Sequence, residues 1–150
     1  MEQRLNVQLI GQNALKTLYG IINYLKHSAL EDALLQLVFF RVSQINGCAY
    51  CLDMHSKEAR SRGETEQRLY GLNAWRETPY YTERERAALA WAEAVTHCEV
   101  PDEVYKIAKA QFSDADLIDL TLAVTSINTW NRINLAFPTV PGTYRVGQYS

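Results

Sequence analysis

Proline and glycine are scarce in this chain of 150 residues, with 4 and 7 copies, and cysteine is scarcer still, with 3. So little proline and glycine beside 3 Trp, 9 Tyr and 4 Phe excludes wholesale disorder. An odd and small number of cysteines is a poor basis for a secreted disulfide framework and points to a reducing compartment. Neither sign of charge dominates. Fifteen Lys and Arg stand against 17 Asp and Glu, a net −2, which gives no broad basic field for phosphate backbones, so no nucleic-acid partner is expected. Long apolar runs are missing too. The opening MEQRLNVQLIGQ carries an early acid and no stretch of signal-peptide length, and no later run approaches the ~18 apolar residues of a membrane span. The expectation is a cytoplasmic protein that makes no use of a membrane.

What the chain does have is 47% hydrophobic residues, enough for one substantial core. They recur at three- and four-residue spacings, while period-two alternation is rare, so the expected fold is all-α. Leu9, Leu15, Leu18, Ile21, Ile22 and Leu25 mark a first helix over about 7–26, which Gly20 weakens without ending. Ser28-Ala-Leu-Glu31 has the form of a capping box for a second helix reaching about Asn46. After the Asn46-Gly47 turn a third helix begins at Cys48 and runs to about Arg62, where Gly63 offers a left-handed stop. A less regular helical stretch covers about 65–77. Thr82-Glu-Arg-Glu85 repeats the capping-box pattern before Ala87 to Val95, and Pro101 suits the first turn of the next helix. Ser113 opens the last helix, which ends before Pro138. The tail from Thr139 to Ser150 has no periodicity. No linker or repeat divides the chain, so residues 1–150 read as one domain of about six to seven helices, with a CxxC motif at the start of a central one.

That motif is Cys48 and Cys51. At 100° per residue, with Cys48 at zero, Cys51 falls at about −60°, His55 at about −20° and Glu58 at about −80°, one narrow arc of a helix. A helix N-terminus stabilises an exposed anion by ~0.3–1 kcal/mol, and a thiolate is such an anion. If the helix and a neighbouring imidazolium together supply about 1.4 kcal/mol, the thiol pKa falls by about one unit from ~8.5, and the thiolate fraction at pH 7.4 rises from about 7% to about 44%. Two thiols on one turn can also close a disulfide and so deliver two electrons to an oxidant. Zinc is a competing use of the pair, with His55 as a third ligand and His27, His97 or Cys98 as a fourth.

The run Leu37-Val-Phe-Phe-Arg-Val-Ser-Gln-Ile-Asn-Gly-Cys-Ala-Tyr-Cys-Leu-Asp-Met-His55 resembles the core signature of the AhpD-like alkylhydroperoxidases, within the carboxymuconolactone decarboxylase superfamily. The likeness extends to Gly63-Glu-Thr-Glu-Gln-Arg-Leu69, to Thr82-Glu-Arg-Glu-Arg-Ala-Ala-Leu-Ala-Trp-Ala-Glu93 and to Trp130-Asn-Arg-Ile133. It implies an all-α fold assembled as a homo-oligomer, trimer or hexamer, and a peroxidase that uses no cofactor and no metal. By the resemblance, Cys51 meets the hydroperoxide, Cys48 forms the disulfide with it, His55 moves the proton, and an external dithiol or protein reductant restores both thiols. Helix position alone favours Cys48 as the more acidic thiol; the imidazole one turn beyond Cys51 favours Cys51. The decarboxylase branch lacks this cysteine pair.

Two positions depart from the family pattern. Peroxidase members carry a glutamate twelve residues before the first cysteine, and here that position is Gln36, an amide that cannot accept a proton. Tyr50 stands where another histidine is found, at about 200° on the wheel, pointing away from the cysteines into packing. Glu58 is the candidate to polarise His55 in place of the missing carboxylate. Ser43 and Asn46 either bond near the site or cap the cysteine helix, with Asn46 as the cap. Trp130 is read as core or subunit interface, and Cys98 as an inert thiol. Beside the peroxidase stands a second reading, a redox-sensing or thiol-buffering protein without turnover, which Gln36 favours.

Overall fold

The computed structural model describes residues 3–149 and contains, in chain order, α1 (Val7–Ile10), α2 (Gln12–Lys26), α3 (Asp32–Asn46), α4 (Ala49–Ser61), α5 (Glu66–Gly71), a 3₁₀ segment (Leu72–Glu77), α6 (Glu83–Thr96), α7 (Asp102–Gln111) and α8 (Asp114–Ala136). No strand occurs among the described residues. The all-α expectation is met. Among the described residues the α-helices number eight, because the expected first helix is broken at Gly11, where a β-carbon would lie 2.8 Å from the carbonyl oxygen of Val7. Gly20 lies inside α2 and does not end it.

Helix starts follow the side chains that satisfy free N–H groups. Thr82 and Glu85 form the reciprocal capping box expected at α6, and Ser113 caps α8 through Asp116 N–H. Ser28 does not do the same. Its hydroxyl donates to the carbonyl of Leu25 at 2.8 Å, and Glu31, itself the N-cap of α3, spends its carboxylate on Arg84 of α6 at 2.9 Å. A long-range ion pair has displaced a local cap, so α3 starts at Asp32. Pro101 is likewise the N-cap of α7, outside its first turn.

α3 is the central helix, packed by α4, α6 and α8. Leu34, Leu35, Leu37, Val38, Phe39 and Val42 are all buried on it, so it is apolar nearly all round, as a helix enclosed by others must be. Its Val38 and Val42 join Leu120, Ala123, Val124 and Ile127 of α8 and Ala88 and Ala92 of α6 in the larger core. Full burial of each Val, Leu or Ile side chain in this set contributes roughly 1.5–3 kcal/mol. On the other flank Leu37 meets Leu72, Trp75 and Leu89, which seats the 3₁₀ segment. Two polar residues of α3, Gln36 and Ser43, are buried as well, at 7% and 0% exposure. Buried polar groups require partners, and theirs lie on α4 and α8.

Candidate active site

The turn between α3 and α4 places the cysteines. Gly47 takes φ 68°, the left-handed region where a β-carbon is strained, and the N–H of Cys48 returns to the carbonyl of Ser43 at 3.1 Å. The chain therefore reverses at once, and α4 starts at Ala49. Cys48 is not its first helical residue, as the spacing suggested, but its N-cap: the sulfur accepts the N–H of Cys51 at 3.3 Å, where a serine oxygen would ordinarily sit. Asn46 is thereby released from capping. Its amide donates at 2.9 Å to both Asn128 and Asn131, and Asn131 donates to Ser43 at 3.0 Å. Ser43 and Asn46 thus tie the α3–α4 corner to α8 and do not bond to the sulfurs.

Cys48 and Cys51 form a disulfide, with α-carbons 5.3 Å apart, and both are buried. Of the two, Cys51 lines a cavity of about 150 Å³. Gln36, His55, Met54, Ile127 and Asn134 line it too, with an aromatic wall of Tyr19, Phe39, Tyr50, Trp130, Tyr144 and Tyr149. Trp130 packs against the larger core, as expected of it, and also faces this cavity, its ring centroid 5.3 Å from that of Tyr19. Tyr50, assigned to packing away from the cysteines, lines the same space with its hydroxyl 3.0 Å from that of Tyr149. The reason is the tail. Residues 139–149 fold back along α4, so a side of the helix that a wheel assigns elsewhere is roofed over and joined to the reactive face.

His55 is 7% exposed, with its Nδ1 3.1 Å from the carboxamide oxygen of Gln36. That oxygen only accepts, so Nδ1 carries the proton and donates it, and Nε2 presents a lone pair. Nε2 is buried and has no hydrogen-bond partner among the described residues. Burial pushes the imidazole pKa down to about 4; the charge of Glu58 pulls it up and that of Arg62 pushes it further down. His55 is therefore neutral near pH 7, and the imidazolium expected beside the thiolate is absent.

Glu58 does not bond to His55. It accepts hydrogen bonds from the Tyr144 hydroxyl, from the N–H of Gly147 at 2.9 Å and from Arg62, which also pairs with Asp32. Burial alone would raise its pKa, but these three donors more than offset that and hold it below the ordinary carboxylate value. Asn134 is a site residue that the sequence reading passed over. It donates to the Trp130 carbonyl at 3.0 Å, with its Nδ2 3.7 Å from the Cys51 sulfur, and it accepts from Thr139 at 2.8 Å. Its position four residues beyond Trp130, one turn along the same face, was the available signal. Cys98 is exposed and outside the site. Among the described residues no group of three or more His, Cys, Asp or Glu side chains is placed to share a metal ion, so His27, His97 and Cys98 are not gathered around the pair.

The pattern of residues that builds this site is shared. The model of the carboxymuconolactone decarboxylase family matches residues 12–94, more than half of the chain, from α2 through the cysteine helix into α6. The chain belongs to this family, in its AhpD-like group. It is 40% identical over 139 residues to the uncharacterized protein YdfG of Bacillus subtilis, a match covering 91% of this chain and 95% of that one. Its fold is similar to the crystal structure of ATU0492 from Agrobacterium tumefaciens, a protein of unknown function associated with antioxidant defence as an AhpD. That match has a TM-score of 0.90 and 40% identity, and covers 95% of this chain and all of the other. An uncharacterized peroxidase-related protein from Silicibacter sp. TM1040 superposes with a TM-score of 0.78 at 26% identity, covering 91% of this chain and 74% of its own. Among the described residues, no helix is long and apolar enough to cross a membrane.

Proposed function

We propose that this AhpD-like protein is a thiol peroxidase that reduces organic hydroperoxides through a Cys48–Cys51 dithiol/disulfide cycle. The observation that carries the reading is that Cys51 opens on the cavity while Cys48 caps the helix behind it, with the free Nε2 of His55 one turn beyond Cys51. In the cycle, the Cys51 sulfur attacks the distal oxygen of ROOH as its proton passes to His55 Nε2. The O–O bond breaks, Cys51 becomes a sulfenic acid, and the proton is delivered to the departing oxygen as ROH. Cys48 then gives up its thiol proton and attacks the Cys51 sulfur, and the sulfenic hydroxyl takes up that proton and leaves as water. Both electrons consumed come from the dithiol, and an external dithiol or protein reductant returns them.

The reductive half-reaction suits the same asymmetry. A reductant thiolate arriving through the cavity meets Cys51, and the departing Cys48 thiolate is received by the helix N-terminus. Gln36 orients the imidazole and accepts no proton itself, which favours slow turnover. That feature supports the second reading, a redox sensor or thiol buffer in which the pair oxidises once per chain. The peroxidase reading places the protein in the cytoplasm, where dithiol reductants act, and in a homo-oligomer, trimer or hexamer. Leu9 and Ile10, 68% and 70% exposed on α1, offer apolar surface for such an assembly.

The experiment is consumption of tert-butyl hydroperoxide by the reduced protein with excess dithiothreitol. Continuous consumption is expected. Cys51→Ser abolishes it, and Cys48→Ser given one equivalent of hydroperoxide with no dithiothreitol present holds Cys51 as a trappable sulfenic acid. Unchanged turnover in Cys51→Ser overturns the assignment, and one disulfide per chain without further consumption selects the sensor.

A further inference from the structure

The tail after α8 has no helix of its own, yet Tyr144 is 6% exposed and the backbone around it is bound at three points to one helix. The N–H of Gly142 donates to Asp53 at 2.9 Å, the ammonium of Lys57 donates to the carbonyl of Tyr144 at 3.1 Å, and Glu58 accepts from Gly147 N–H and the Tyr144 hydroxyl. Asp53, Lys57 and Glu58 stand on α4, the helix that carries Cys51 and His55. The consequence of this seating is that Tyr144 and Tyr149 form a wall of the cavity, and Tyr149 is held there by Tyr50. A buried carboxylate is costly unless its partners are supplied. Two of the three donors to Glu58 come from the tail.

The space that results is small. A dry apolar cavity of about 150 Å³ in another protein takes up benzene, and this one has about that volume with mostly apolar walls, to which six aromatic side chains contribute. His55 Nε2, buried and unpartnered, asks for a hydroxyl donor, which a protonated hydroperoxide supplies and a peroxide anion does not.

We propose that residues 139–149 are a strap, latched to α4 by Glu58 and Tyr144, that restricts the cavity to compact neutral organic hydroperoxides, a single aryl ring or a short branched alkyl group, and shuts out long chains. The proposal rests on the peroxidase reading for its substrate, but its test does not require turnover. The oxidised full-length protein is titrated with two product-type alcohols, 2-phenyl-2-propanol and 1-decanol, and binding is read from the quenching of tryptophan fluorescence and from saturation-transfer NMR. The wild type is expected to prefer the single-ring alcohol by about tenfold or more, a discrimination within what a hydrophobic pocket achieves. Glu58→Ala, which removes the latch, and Tyr144→Ala, which removes the wall and leaves α4 intact, are each expected to gain the long chain and shrink the preference to about threefold or less. Equal binding of both alcohols by the wild type, or an unchanged preference in both variants, overturns the strap. Size selection without peroxide consumption would leave the strap standing and remove the peroxidase.

Discussion

The Nδ1 of His55 and the carboxamide oxygen of Gln36 lie 3.1 Å apart in a buried contact between α4 and α3. This one bond decides how the imidazole is polarised. The oxygen is an acceptor alone, so the ring is held with its proton toward α3 and its lone pair toward the remaining space. The pair carries no net charge, and burial holds the ring in its neutral form.

Gln36→Glu adds a carboxylate at that bond. An anion on Nδ1–H favours the imidazolium, so the His55 pKa should climb from about 4 toward or above its ordinary 6.5. Proton transfer by a positioned side chain contributes about 10²–10⁴-fold in enzymes, so peroxide turnover should increase by at least about tenfold. NMR titration of the ring and the dithiol-driven assay check the two halves separately. A raised pKa with unchanged turnover would detach His55 from the proton path.

Acid stability carries the mark of the same residue. The unfolded imidazole titrates near 6.5 and the folded one near 4, so between those values the unfolded chain binds a proton that the folded chain does not. Stability therefore falls as pH is lowered through this window and recovers as pH is raised, by about 2 kcal/mol between pH 7 and 5. Glu58 acts in the same sense at lower pH, since its depressed pKa supplies stability above the ordinary carboxylate value that is lost as pH falls through the folded value. Urea unfolding of wild type and His55→Gln at pH 7 and pH 5 should show the difference of about 2 kcal/mol in the wild type and most of it missing from the variant.

Asn131 is fully buried between Asn46 and Ser43. Asn131→Ala deletes the link that joins the α3–α4 corner to α8, leaving a void and an unsatisfied hydroxyl. The expected loss is about 2–3 kcal/mol in urea unfolding. Serine at position 43 replaced by alanine in the same background should restore part of that loss, because the orphaned hydroxyl is then removed as well.

What could be read from the sequence was whatever depends on local register. Cys51 and His55, four apart, had to share a helix face, and Thr82 with Glu85 had to cap α6, because neither relation needs a distant partner. Ser28 and Glu31 show the same local pattern and fail, since Arg84, 53 residues from Glu31, competes for the acid. The charge of His55 was illegible for a related reason: it depends on the surroundings closing over the ring, including Phe39 with its centroid 5.1 Å away. Glu58 was placed on the right face but given the wrong neighbour, because its partners Tyr144 and Gly147 lie in a tail held by individual hydrogen bonds with no apolar periodicity to announce it.

One rod of thirteen residues bears the nucleophile near its first turn and the tail's mooring toward its last. Removing a single residue between Cys51 and Glu58 would rotate those ends by about 100° against each other, turning the mooring away from the chamber that the sulfur opens on. Length in this stretch is therefore constrained independently of chemistry. A homologous chain that has shed its C-terminal segment leaves an acid at that turn with the arginine one turn on as its sole partner, so the acid should be lost more often in such chains.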